Sequence, residues 1–135
     1  MKKIYCVVFA IFICGALMAK KPPFKLTFGS GGGFTGLTTT YTVNSDRTFS
    51  KSDNVSKKTE QLHKVKCKDV KSIRKLLANV NFSILNINKS GNISSFITLS
   101  QDGKEYKTEW TGATSGNPAL DELHKKLVSL IPAKK

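Results

Sequence analysis

Phe28-Gly29-Ser30-Gly31-Gly32-Gly33-Phe34-Thr35-Gly36-Leu37-Thr38-Thr39-Thr40-Tyr41-Thr42-Val43 is the stretch on which the reading of this chain turns. It starts where one apolar–polar alternation, Phe24-Lys25-Leu26-Thr27-Phe28, ends. It leads into another, in which Leu37, Thr39, Tyr41 and Val43 share one face and Thr38, Thr40 and Thr42 the other. A period of two with many β-branched residues predicts two strands, the first with Phe24, Leu26 and Phe28 inward and the second its partner. Between them, Gly29, Gly31, Gly32 and Gly33 let the backbone take φ > 0 and lie close to another surface, at an entropy cost that an ordinary turn avoids. Two readings of the segment stand: a wide hairpin loop with a bulge at Gly36, or a binding loop.

Outward from this centre, Asn44-Ser45-Asp46 is a turn signal and Arg47 to Lys51 a short returning strand. Residues 55 to 66 carry few aliphatic side chains and read as a polar edge strand, with Lys57, Lys58, Lys64 and Lys66 guarding against edge pairing. Val70, Ile73, Leu76, Leu77 and Val80 have helical spacing behind Asp69, which predicts a helix from about Lys68 to Val80 with Lys68, Lys71, Arg74 and Lys75 on its wet side. Phe82, Ile84 and Leu85 are expected to tuck under the sheet. Ile93 to Ser100 and Lys104 to Trp110 flank Gln101-Asp102-Gly103 as a hairpin, and Asn117-Pro118 opens a second amphipathic helix through Leu120, Leu123, Leu127 and Leu130. The order predicts an α+β fold, an antiparallel sheet of about four to six strands with two helices packed on one face.

The 135 residues, 39% hydrophobic, suffice for one core, so residues 20 to 135 read as a single small domain. Residues 1 to 19 have the order of a signal peptide: Lys2 and Lys3, an apolar run from Ile4 to Cys14, then small residues to Ala19. That run is too short to span a bilayer, which takes about 20 residues. The expectation is a secreted or periplasmic protein without a transmembrane span in its mature chain. Cleavage would remove Cys6 and Cys14 and leave Cys67, expected to be a buried, inert thiol.

Catalytic chemistry finds no foothold. The glycine cluster runs into a strand rather than a helix N-terminus, and no lysine follows it as in a P-loop. His63 and Cys67 lack the further ligands a zinc site needs, Asp121 and Glu122 point to different sides of a helix, and Ser30, Ser94 and Ser95 have no nucleophile-elbow context. The expectation is a protein that is not an enzyme and holds no metal or cofactor. The chain carries a formal charge of +13, falling to +11 without Lys2 and Lys3. Lysine supplies almost all of it, Arg47 and Arg74 being the two arginines, which disfavours specific nucleic-acid readout and leaves anionic polymers or an acidic protein as partners of the charge.

At Ser30-Gly31-Gly32-Gly33-Phe34-Thr35-Gly36 the chain resembles the emfourin family, small proteinaceous inhibitors of thermolysin-like metalloproteases, whose signature is Ser-Gly-Gly-Phe-x-Gly between two strands. Gly32, Gly33, Phe34 and Gly36 match, Ser30 is displaced by one extra glycine, and Arg47 to Lys66 looks like an added hairpin. The resemblance implies an inhibitor that occludes a protease cleft with a rigid loop surface. Its candidate binding residues here are Ser30, Gly31, Gly32, Gly33, Phe34, Thr35 and Gly36.

Overall fold

The computed structural model describes residues 21–34, 36–89 and 91–133. The signal-peptide reading of residues 1 to 19 and the candidate residue Thr35 lie outside these. Six strands form a single antiparallel sheet: β1 (Phe24–Gly32), β2 (Thr38–Asn44), β3 (Phe49–Asp53), β4 (Thr59–Gln61), β5 (Ile93–Gln101) and β6 (Lys104–Thr111). Two helices complete it, α1 (Cys67–Asn79) between β4 and β5, and α2 (Pro118–Val128) after β6. The spatial order is β4-β3-β2-β1-β5-β6, so β1 lies inside the sheet between β2 and β5.

Register explains the core. Leu26 faces Val43 and Leu99 across the ladder, Phe28 faces Tyr41 and Ile97, Val43 faces Phe49, and Ser95 faces Trp110. Because side chains alternate, these partners share one face. There they join Val70 and Ile73 of α1 and Leu120, Leu123 and Leu127 of α2 in one buried cluster. The rings of Phe28, Tyr41 and Phe49 stack at 5.6 to 6.3 Å between centroids. The other face pairs Thr27 with Thr42 and Thr98, and Thr40 with Ser52, a hydroxyl-rich surface opposite the one on which α1 and α2 pack.

α2 begins where its chemistry allows. Asn117 is extended, its side chain accepts from the Leu120 amide at 3.1 Å, and Pro118 takes a first-turn position where no N–H is needed. Asp69 in the first turn of α1 accepts from Lys126 Nζ of α2 at 2.7 Å, which ties the helices together and holds its carboxyl below the ordinary 3.8.

His124 of α2 stands edge-on to Trp110 with centroids 5.0 Å apart, and desolvation there lowers its pKa below 6.5 despite the opposing charge of Asp121. The unfolded chain therefore takes up this proton first. Stability is expected to fall as pH drops below about 6.5, until the folded imidazole protonates too. Urea melts between pH 7.5 and 5.5 should show that slope, and His124→Gln should flatten it. An unchanged slope in the variant would assign the effect elsewhere.

Three expectations need correction. β1 runs four residues past Phe28, since Gly29 to Gly31 keep pairing with β2 and β5 and Gly32 with β5. Ile84 is 76% exposed, while Phe82 is buried and Leu85 packs against the core, because the short 81–85 turn can direct only part of its apolar set inward. Cys67 is exposed, at the first position of α1, where no preceding helical turn covers it. The polar 55–66 segment does supply the edge strand, but only over Thr59–Gln61. No helix among the described residues is long and apolar enough to cross a membrane.

Candidate functional site

The C-terminal end of β1 is the centre of one end of the sheet. Antiparallel pairing brings there the start of β2, the turn after β3, and the segment leading into β5. Gly32 and Gly33 adopt φ of 111° and 78°, which a side chain would strain. The Gly33 amide donates to the Asn92 carbonyl at 2.6 Å, the Gly32 amide to the Leu37 carbonyl at 3.3 Å, and the Gly36 amide to the Gly33 carbonyl at 3.2 Å. The chain thus leaves the sheet only between Gly33 and Leu37.

A clamp from the next hairpin fixes that short loop. Asn54 accepts from the Thr38 amide through Oδ1 at 3.0 Å and donates to the Gly36 carbonyl through Nδ2 at 2.8 Å, while its own amide donates to the Thr38 carbonyl at 3.2 Å. Its side chain does the work of a strand neighbour. Asp53 in turn shapes the bend that presents Asn54, accepting from the Ser56 hydroxyl at 2.7 Å and from the amides of Ser56 and Val55. These donors, the hydroxyl first, lower its carboxyl below 3.8.

On this scaffold the apolar side chains point outward. Phe34 is fully exposed, Leu37 is half exposed, and Val55 and Ile93 are each about two-thirds exposed. An ideal Cβ on Gly33 would lie 3.8 Å from Ile93 Cγ1, so Ile93 sits beside the base of the loop. Scattered exposed aliphatics are ordinary, but four of the six large ones among the described residues gather at this end. Behind them, on the hydroxyl face, Gly31, Thr38, Ser94, Phe96 and the Lys107–Glu109 pair border a depression of about 300 Å³.

The described candidate residues do not form one loop. Ser30, Gly31 and Gly32 are strand residues, Ser30 pairing with Thr39 and Ser95, and among the described candidates only Gly33, Phe34 and Gly36 project as loop. Asn54, Val55 and Ile93 belong to the site although sequence reasoning passed over them. Nothing local in Ser52-Asp53-Asn54 tells which strand end it clamps.

The histidines and Asp121 lie apart from this end, whereas Ser30 and Ser94 belong to it as strand residues. His63 packs edge-on against Phe49 at 5.5 Å, His124 against Trp110, and Asp121 accepts from the amide and hydroxyl of Ser115. Among the described residues, no three His, Cys, Asp or Glu side chains gather as a metal site would need. A larger depression, about 620 Å³, lies at the opposite end beside Asn44, Asp46 and Asp102, as a wide, open seam between two turns. Fold and site thus define a small α+β domain that presents exposed apolar side chains at one end of its sheet. Compared with protein-family models, with curated proteins and with solved structures, the chain finds no match.

Removing the Asn54 clamp is expected to loosen the tip without unfolding the sheet. Asn54→Ala gives up two side-chain hydrogen bonds at an exposed site, so a loss of about 1 kcal/mol in stability is expected. Amide exchange at Gly36 and Thr38 should quicken far more than at Leu26 or Ile97. Uniform protection in the variant would show that the loop holds itself.

Proposed function

We propose that this chain is an exported, non-enzymatic binding protein that inhibits a thermolysin-like metalloprotease through the glycine-rich end of its sheet. The observation that carries the reading is Phe34, wholly exposed on a loop tied at Gly33 to Asn92 and at Gly36 to Asn54. An exposed aromatic ring held on a short, hydrogen-bonded loop loses little entropy on docking, unlike a flexible glycine segment. The emfourin-like signature supplies the target class. In this mode Phe34 anchors in an apolar recess of the protease, Leu37, Val55 and Ile93 seal the contact against water, and the sheet end blocks the cleft. No cofactor takes part.

Titration of the purified protein against a thermolysin-like protease, with serine and cysteine proteases in parallel, tests this directly. Saturable inhibition confined to the metalloprotease is expected, changing little between low and moderate salt because apolar contact dominates. Failure to inhibit any thermolysin-like enzyme would leave the signature as a feature of fold alone.

A further inference from the structure

A second surface, separate from the glycine-rich end, is built from lysine. From Gln61 to Gln101 the chain holds one acid, Asp69, and that carboxylate is engaged by Lys126 of α2. Around it stand Lys64, Lys66, Lys68, Lys71 and Lys75, all exposed. Lys64 and Lys66 flank buried Val65 and so turn outward together as the chain approaches α1. Lys68, Lys71 and Lys75 then follow at i, i+3 and i+7, one stripe about 10 Å long. None of the five takes part in the two ion pairs found among the described residues, Lys107–Glu109 and Lys126–Asp69.

We propose that this row is a docking surface for a linear, phosphate-bearing anionic polymer, which tethers the protein while the glycine-rich end stays open. Charge complementarity along a line argues for a chain-like polyanion. A bilayer surface fits less well, since α1 exposes no aromatic or large aliphatic side chain to insert beside its lysines. Base-specific nucleic-acid reading fits poorly as well. Arg47 Nε donates to the Val65 carbonyl at 2.6 Å, and Arg74 donates to the Pro22 carbonyl and lies over the Phe24 ring, so each arginine is held against the fold by at least one of its donors.

The test is binding of the purified protein to inorganic polyphosphate chains at 50 and 200 mM salt, beside vesicles containing anionic phospholipid. Five lysines on a flexible polyanion should lower affinity about 100-fold across that salt range. The triple variant Lys68→Gln, Lys71→Gln, Lys75→Gln should lower the salt slope by about 2. A control triple, Lys25→Gln, Lys89→Gln, Lys104→Gln, removes the same charge from exposed sites elsewhere and should keep the wild-type slope. Should the first triple variant fail to fold, Lys71→Gln alone is expected to lower the slope by about 0.7. Equal losses in both triples, no binding to polyphosphate, or tighter binding to the vesicles would each overturn the assignment. Inhibition of the protease by the first triple variant should be unchanged, and that result is independent of the tether.

Discussion

Phe34→Ala is expected to weaken protease inhibition about 100-fold while leaving Tm where it was. Truncating a central aromatic anchor of an interface typically costs about 2 to 4 kcal/mol, a factor of roughly 30 to 1,000 in affinity. The fold should not register the change, because Phe34 is fully exposed and contributes nothing to the buried cluster. Thermal melts and inhibition curves on the same preparation separate the two quantities. Phe34→Leu, keeping apolar bulk without a ring, should fall between wild type and alanine. Inhibition that survives Phe34→Ala with wild-type affinity would move the anchor to Leu37, Val55 or Ile93, and the reading of this loop as the contact centre would fail.

Gly29→Ala should do the opposite, destabilising the domain by about 3 kcal/mol and lowering Tm by about 10 °C. A Cβ at Gly29 would collide with the carbonyl oxygen of Thr39 in β2 and stand 3.3 Å from the Phe96 ring tip. Neither neighbour yields easily, since Thr39 belongs to the central ladder and Phe96 lies over the glycine on the hydroxyl face. Gly36→Ala is the informative contrast. Gly36 has φ of 61° but nothing within 4 Å of its absent Cβ, so only the left-handed backbone penalises the change, by about 1 kcal/mol. If the two substitutions cost the same, the close approach of β1 and β2 is not what demands glycine at position 29.

That contrast shows what the glycine cluster concealed from sequence reading. All its members look alike as letters, and a loop was the natural expectation after Phe28. In the fold Gly29, Gly31 and Gly32 are sheet residues. A Cβ on Gly31 would run into the Thr38 side chain, and one on Gly32 into the Asn92 carbonyl. The glycines are thus explained largely by crowding from neighbouring strands, and the exposed contact surface shrinks to the short turn carrying Phe34. Ile84 and Cys67 were misjudged for a related reason. Hydrophobicity and thiol chemistry favour burial on average, but a helix start or a five-residue turn chooses which side chains face in.

Local patterns were enough to place most of the elements and several of their inward faces. Alternation put Phe24, Leu26 and Phe28 in the core, helical spacing did the same for Ile73 and Leu123, and Asn117-Pro118 marked the start of α2. These are local properties, set by periods of 2 and 3.6 and by capping chemistry, so a linear pattern carries them. Only the tertiary structure decided that β1 sits between β2 and β5, that Asn54 reaches back to clamp Gly36 and Thr38, and that Val55 and Ile93 join Phe34 at one end. The Asn54 clamp joins residues 16 and 18 positions apart, and the β1–β5 ladder joins residues from the two halves of the chain. Their energies depend on which long-range partners meet, and no periodicity within a strand records that choice.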